Sequence, residues 1–146
     1  SAPAASGAAA VGDHACTGSG AGGGHRATLV VQPSAGTVVQ RCVPFTGSTV
    51  KALALLRASH VEMATQSYPS LGAALCQVDH VPAHYASCLP KGKPYWALFV
   101  SKGGQAWSSP PKGISSVSVG PGDAVGLRYD SPTGTPTPPS VPPPHP

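Results

Sequence analysis

The sequence predicts an α+β domain in which one helix packs across a mixed sheet. A β-branched hairpin comes first, a short stretch with helical spacing follows, and the remaining segments have the pattern of strands. Segregated elements of this kind are typical of α+β folds, whereas alternating strands and helices would indicate a parallel sheet. At 146 residues the chain has room for one ordinary domain, because two would each have a marginal core.

The strands are predicted from β-branched and alternating runs. Residues 28–32 and 37–43 are such runs, and the turn-forming tetrapeptide Pro33-Ser34-Ala35-Gly36 separates them, so they predict a hairpin. The later strands are predicted over residues 61–65, 73–78, 95–101 and 124–129, the last of them after the turn Pro121-Gly122-Asp123.

The helix is predicted between the hairpin and the later strands. Ser48 is a favourable N-cap residue, and leucines follow it at helical spacing. We therefore expect a helix from Ser48 to about His60, with Leu53 and Leu56 packed on the hairpin.

Both ends of the chain are predicted to be disordered arms around a domain at residues 28–130. Residues 1–27 consist largely of alanine, glycine and serine, which offer little to bury against the entropy of ordering. Residues 131–146 contain eight prolines, which predict a stiff extended stalk. A stalk implies an attachment beyond it, such as a membrane or cell-wall anchor, and a peptide ligand for a proline-binding module is the alternative.

The cysteines predict an oxidising compartment. Four cysteines in a small domain most simply form two disulfides, for which three pairings exist. Cys76 and Cys88 enclose a short segment, so a local loop closed by that pair is expected, which leaves Cys16 to tie the first arm to Cys42. The small residues at the start resemble those left after signal-peptide cleavage, so we expect a secreted or cell-surface protein.

A metal site competes for the second cysteine pair. Cys76, His80, His84 and Cys88 form a C-x3-H-x3-H-x3-C pattern, whose thiols and imidazoles suit zinc. On a continuous helix the four residues would be too far apart to surround one ion, and Pro82 would interrupt such a helix. The disulfide is favoured, and no metal is expected.

Charge and acid content argue against two classes of function. The net charge is +4, but the nine basic residues are scattered, so neither a phosphate-tracking stripe nor a nucleic-acid partner is expected. The five acidic residues form no evident pair for general acid and base catalysis, and no G-x-S-x-G motif is present. The chain is therefore not expected to be an enzyme.

Aromatic residues in the second half are the candidates for binding. Tyr95, Trp96 and Phe99 are also plausible members of the core. Trp107 differs, since it lies in a loop rich in glycine, serine and proline, where a tryptophan is a typical apolar anchor for a ligand.

The same residues carry a resemblance to a known family. The string Tyr95-Trp96-Ala97-Leu98-Phe99, the loop with Trp107, and the segment Val119-Gly120-Pro121-Gly122-Asp123-Ala124-Val125-Gly126-Leu127-Arg128-Tyr129 resemble the C-terminal domain of transcobalamin and intrinsic factor. Exported single-domain bacterial proteins, many of them actinobacterial, are more similar still, and their cysteines recur in a comparable pattern. The resemblance covers about residues 28–130.

The resemblance implies a β-grasp-like fold of the soluble-ligand-binding type and an extracellular module that binds cobalamin or a related corrinoid. By position it nominates as ligand-binding residues Tyr68, Tyr95, Trp96, Trp107 and Ser108. The vertebrate carriers enclose the corrinoid between this domain and a large helical domain, which this chain lacks.

Two further functions are compatible with the sequence. One is a structural or protein-interaction module displayed on the proline-rich stalk, with a surface protein as its partner. The other is a secreted protease inhibitor, in which the loop Ala83-His84-Tyr85-Ala86-Ser87 would be braced by a disulfide.

Overall fold

The computed structural model describes residues 11–16, 25–70, 72–88, 92–130 and 134–144, and it confirms a mixed α+β architecture that is mostly sheet. The elements in chain order are β1 (His25–Ser34), β2 (Thr37–Phe45), β3 (Val50–Lys51), α1 (Ala52–Ala58), β4 (Met63–Tyr68), β5 (Gly72–Val78), β6 (Tyr95–Ser101), β7 (Ser118–Val119) and β8 (Ala124–Asp130).

The main sheet has four strands in the order β2-β1-β8-β6. The predicted hairpin supplies the antiparallel pair of β1 and β2. The last strand, β8, runs parallel to β1 and antiparallel to β6. Strands β4 and β5 form a separate antiparallel hairpin, and the two-residue strands β3 and β7 pair with each other.

The core lies between α1 and one face of this sheet. Side chains alternate between the two faces of a strand, and along β1 the residues Leu29 and Val31 face the helix. Leu55 and Leu56 of α1 are fully buried against that face. Burial of each such leucine contributes roughly 1.5–3 kcal/mol, so this contact fixes the helix on the sheet.

The start of α1 differs from the prediction. Ser48 is not the N-cap, and the expected first turn is absent because Val50 and Lys51 pair with β7 as strand β3. The first amide groups of the helix instead donate to a neighbouring loop: Ala52 N to the Val117 carbonyl over 2.8 Å and Leu53 N to the Ile114 carbonyl over 3.1 Å. The expectation was wrong because a distant segment satisfies donors that a local serine was expected to satisfy.

Both predicted disulfides are present. Cys16 is bonded to Cys42, and Cys76 is bonded to Cys88. Two intramolecular disulfides indicate an oxidising compartment. Within the described part of the chain, no helix has the length and apolar character needed to cross a bilayer.

The first arm is fastened to the edge strand β2 near Cys16. The main-chain N–H and C=O of Gly12 both bond to Cys42, over 2.9–3.0 Å, and the amide of Cys16 donates to the Thr28 hydroxyl over 3.0 Å. The rest of the predicted flexible arm, residues 1–10 and 17–24, lies outside the described residues.

The proline-rich end also contacts the domain. The sequence places residues 131–146 outside the folded part as a stalk, whereas in the structure residues 137–141 are bonded to the domain and Pro139 is buried. Four hydrogen bonds in the described part of the chain join this segment to Gln32, Trp107, Arg128 and Asp130. A proline-rich composition favours an extended backbone, and an extended backbone can pack on a sheet as readily as it can act as a spacer.

Candidate functional site

A cleft lies between the start of β6 and the loop that the Cys76–Cys88 disulfide closes. Its volume is about 400 Å³, within the range of small-molecule sites. Apolar and aromatic groups dominate its walls. The lining residues are Leu75, Cys76, Pro82, His84, Tyr85, Ala86, Ser87, Cys88, Lys93, Pro94, Tyr95, Trp96 and Tyr129.

Trp96 forms the fixed wall of the cleft. Its side chain is 9% exposed, and its indole N–H donates to the Val81 carbonyl over 2.9 Å. Its ring centroid lies 5.3 Å from that of Tyr129, its partner across β6 and β8, at an interplanar angle of 47°. Since the N–H already has an acceptor, the indole offers a ligand an apolar surface instead of a hydrogen bond.

Two phenol groups add polar atoms to this wall. Burial raises the pKa of Tyr95, and the neighbouring carboxylate of Asp130 raises it further. Burial likewise raises the pKa of Tyr129. Both phenols are therefore neutral at physiological pH, and each O–H can donate a hydrogen bond to a ligand.

The loop over residues 81–88 is fixed at both ends and exposed in the middle. The disulfide holds one end, and two main-chain hydrogen bonds of 3.0 Å between Val78 and Val81 hold the other. The Gln77 side chain also donates to the Pro82 carbonyl over 2.8 Å. Tyr85, near the middle of the loop, is 44% exposed. The loop thus presents an aromatic ring at the mouth of the cleft with its ends held in place.

The turn that leads into the loop has an uncommon backbone conformation. Asp79 and His80 both have positive φ, at 53° and 64°, a region that non-glycine residues adopt at a cost. Glu62 holds the turn, because its carbonyl accepts from the Asp79 amide over 2.7 Å and its carboxylate accepts from the His80 amide over 2.5 Å. These contacts set the direction in which the loop leaves β5.

A second cavity of about 220 Å³ adjoins the cleft. The two share the walls Leu75, Cys88, Tyr95 and Trp96. The cleft and the second cavity are therefore neighbours separated by these side chains.

The structure brings together two of the five nominated binding residues. Tyr95 and Trp96 line the cleft. Tyr68 instead packs against the cluster that contains the disulfide. Trp107 and Ser108 do not line the cleft: Ser108 pairs with Val100 through two main-chain hydrogen bonds of 2.9 Å, and Trp107 lies under the proline-rich segment.

Trp107, which the sequence predicts as an apolar anchor on a loop, is half-buried in the structure. Its loop composition gave no sign of this, because the covering residues come from the far end of the chain.

The comparisons with known proteins add no family. No protein-family model matches the chain, and no curated protein matches it significantly. The resemblance to the transcobalamin C-terminal domain therefore stays a prediction, as does corrinoid binding.

The cleft also contains residues that the sequence reasoning did not nominate. Tyr129 contacts Trp96 in a tilted arrangement because the two are register partners. The register of an antiparallel pair cannot be inferred from the sequence of either strand alone. Tyr85 had been considered only in an inhibitor loop.

The competing metal pattern does not assemble. Cys76 and Cys88 are joined to each other, so neither is a free thiolate. Over the described ranges, no group of three or more histidine, cysteine or acidic side chains is placed to hold an ion.

Proposed function

We propose that this chain is an exported ligand-binding domain, and that its ligand occupies the cleft between the disulfide loop and β6. The observation that carries the proposal is the rigid pair of Trp96 and Tyr129, which walls a cavity of about 400 Å³ under a disulfide-closed loop. A mostly apolar cleft with a few convergent polar groups is the usual form of a small-molecule site. The two disulfides support export.

We infer further that the fold is of the β-grasp type. The strand order β2-β1-β8-β6 with a parallel central pair, and a helix that follows the first hairpin and packs on the sheet, support this assignment.

The ligand class follows from the cleft and from the family resemblance. The apolar face of Trp96 suits a flat, largely apolar group, and the neutral phenols of Tyr95 and Tyr129 suit polar substituents at its edge. A corrinoid with its side chains is larger than this cleft, so it would lie across the mouth, against Tyr85, with one edge inserted. We propose a corrinoid as the first ligand to test.

The two tryptophans give a matched pair of variants for the test. Titration of the full chain with cyanocobalamin should quench tryptophan fluorescence in the wild type and in Trp107→Phe, whose altered side chain lies outside the cleft. In Trp96→Phe, which lacks the tryptophan of the cleft and is followed by the change in corrinoid absorbance, the affinity should fall at least tenfold. Tyr85→Ala, at an exposed position, should weaken binding without affecting folding.

The possible results distinguish a wrong ligand from a wrong function. If cyanocobalamin has no effect at high micromolar concentration but haem or another flat cofactor quenches Trp96, the corrinoid assignment is wrong and the binding function stands. If no member of such a panel changes the fluorescence or the melting temperature, the ligand-binding proposal is wrong.

One observation favours a second function, inhibition of a protease by the loop that contains Tyr85. Tyr85 is a large exposed aromatic residue on a loop with fixed ends, as in inhibitors that present one side chain to a protease. A chymotrypsin-type enzyme, which accepts aromatic side chains, is the test protease. Inhibition that Tyr85→Ala abolishes would support this function, and rapid cleavage after Tyr85 would exclude it.

A further inference from the structure

The face of the main sheet opposite α1 is also buried; we call it the outer face and define it by Thr28, Val30 and Gln32 of β1 and by Gly126 and Arg128 of β8. Their neighbours in the strands, such as Leu29 and Leu127, face the helix, so these residues point away from it. Val30 is nevertheless fully buried, and Gln32 is 1% exposed.

The proline-rich segment lies on this outer face. Pro139 is buried above Gly126, where an added Cβ atom would come within 2.9 Å of the Pro139 ring and 3.0 Å of the Trp107 ring. The absence of a side chain at position 126 therefore makes a groove for one proline ring. Trp107 forms its wall.

The side chains around the groove bind main-chain groups of the segment. Arg128 donates to the Pro138 carbonyl over 2.9 Å, and the Trp107 indole N–H donates to the Val141 carbonyl over 3.0 Å. The Ser140 amide donates to the Gln32 side-chain carbonyl over 2.7 Å. The Asp130 carboxylate also accepts from the Thr137 amide over 2.5 Å. The domain thus offers donors to two carbonyls and acceptors to two amides of the segment.

This arrangement matches the chemistry of proline-rich chains. Proline has no N–H, so a proline-rich chain has few main-chain donors. Many of its carbonyl groups therefore need donors from elsewhere. Arginine and tryptophan side chains supply such donors, and the proline ring fits a glycine-floored groove beside an aromatic wall. Proline-binding domains likewise use grooves lined by aromatic side chains, since an extended proline-rich ligand loses little entropy on binding.

We propose that the outer face is a binding site for an extended proline-rich peptide, which residues 137–141 of this chain occupy as a tethered competitor. A proline-rich segment of another protein takes their place when the segment undocks. A short tether gives an intramolecular ligand an effective concentration on the order of millimolar, so the segment sets the affinity that an external ligand must exceed.

The test uses the full chain with one substitution in the segment. Pro139→Asp places a charge in the apolar groove and should release the segment, while the domain residues stay unchanged. Pro142→Asp is the matched control, because it makes the same change in charge at an exposed position. A peptide with the sequence of residues 134–144 is the probe, and the indole N–H resonance of Trp107 is the readout.

We expect the Trp107 resonance to move in Pro139→Asp, and the added peptide to return it to its wild-type position. Wild type and Pro142→Asp should bind the peptide at least tenfold more weakly, since their groove is filled. A peptide that itself carries Pro139→Asp should not bind.

Two results would overturn the proposal. In one, the peptide leaves the Trp107 resonance of Pro139→Asp unchanged at millimolar concentration, and the segment is then a fixed part of the fold and not a displaceable ligand. In the other, the altered peptide binds as well as the native one. Neither result bears on the cleft at Trp96, which lies among different residues.

Discussion

The indole N–H of Trp107 donates a hydrogen bond to the carbonyl oxygen of Val141, 34 residues later in the chain and 3.0 Å away. The same ring lies over Gly126 at the centre of the sheet. One side chain therefore joins a loop after β6, the strand β8 and the proline-rich segment. The hydrogen bond and the ring contact are separable by substitution.

Trp107→Phe keeps an aromatic ring near Gly126 but removes the N–H donor, so it should lower the free energy of unfolding by about 1 kcal/mol. Trp107→Ala removes the ring as well and should cost about 3 kcal/mol. Urea denaturation measures both values. Equal losses for the two variants would show that the ring contact contributes little.

Gly126→Ala should destabilise the protein by about 1–3 kcal/mol, because the new methyl group would approach Pro139 and Trp107 to about 3 Å. Gly36→Ala is the control, since nothing lies within 4 Å of an added Cβ there; it should change stability by less than about 0.5 kcal/mol. Adding Pro139→Ala to Gly126→Ala should recover part of the loss. If the stability losses of Gly126→Ala and Pro139→Ala simply add in the double variant, the two positions are not in contact.

Asp123→Ala should cost about 2–3 kcal/mol. The Asp123 carboxylate accepts from the Gly120 amide over 2.8 Å, from the Gly103 amide over 3.0 Å and from the Lys102 ammonium over 3.3 Å. Its loss leaves these donors without their acceptor at the junction of two loops. Asp13→Ala is the control. It removes an exposed carboxylate that lies 3.6 Å from the Arg41 guanidinium, and it should change the melting temperature little.

Strong alkali should destabilise the fold through two tyrosines. Burial raises the pKa of Tyr95 and of Tyr129 above 10.0, so the unfolded chain loses these protons first as the pH rises. Their contribution is complete below pH 10 and is lost as the pH rises through the folded pKa values. The ultraviolet absorbance of phenolate should show a fraction that appears late in the titration and that Tyr129→Phe reduces. Ionisation of all four tyrosines in one step near 10 would contradict this.

Removing either disulfide should cost about 3 kcal/mol by the chain-entropy estimate for loops of these lengths. The pairs differ in function, however. Replacing Cys76 and Cys88 with serine should also weaken ligand binding in the cleft, whose walls they form, whereas replacing Cys16 and Cys42 should not. Ligand titration under conditions that keep both variants folded distinguishes them.

The sequence predicted the secondary-structure elements that depend on neighbouring residues. The hairpin of β1 and β2 follows from β-branched runs around a turn, and β6 from the apolar run that begins at Tyr95. The start of α1 was wrong because its partners, Ile114 and Val117, lie far along the chain.

In the candidate site, too, the sequence identified some residues and missed those that depend on distant contacts. Tyr95 and Trp96 were identified as aromatic residues of the second half, and they line the cleft. Tyr129 became part of the wall only through strand register. Trp107 is covered by the proline-rich segment. A proline-rich composition is compatible both with a docked segment and with a free stalk, so the sequence did not predict that Trp107 is covered.

The parallel pairing of β1 with β8 has a consequence for how the chain folds. Thr28 lies beside Ala124, so the centre of the sheet joins the first strand to the last. Contacts between such distant residues slow folding, because a long loop must close before they form. Until β8 arrives, one side of β1 is an open edge able to pair with another chain. Chains that end before residue 124 should therefore aggregate more readily than the full chain, because β8 covers the open side of β1.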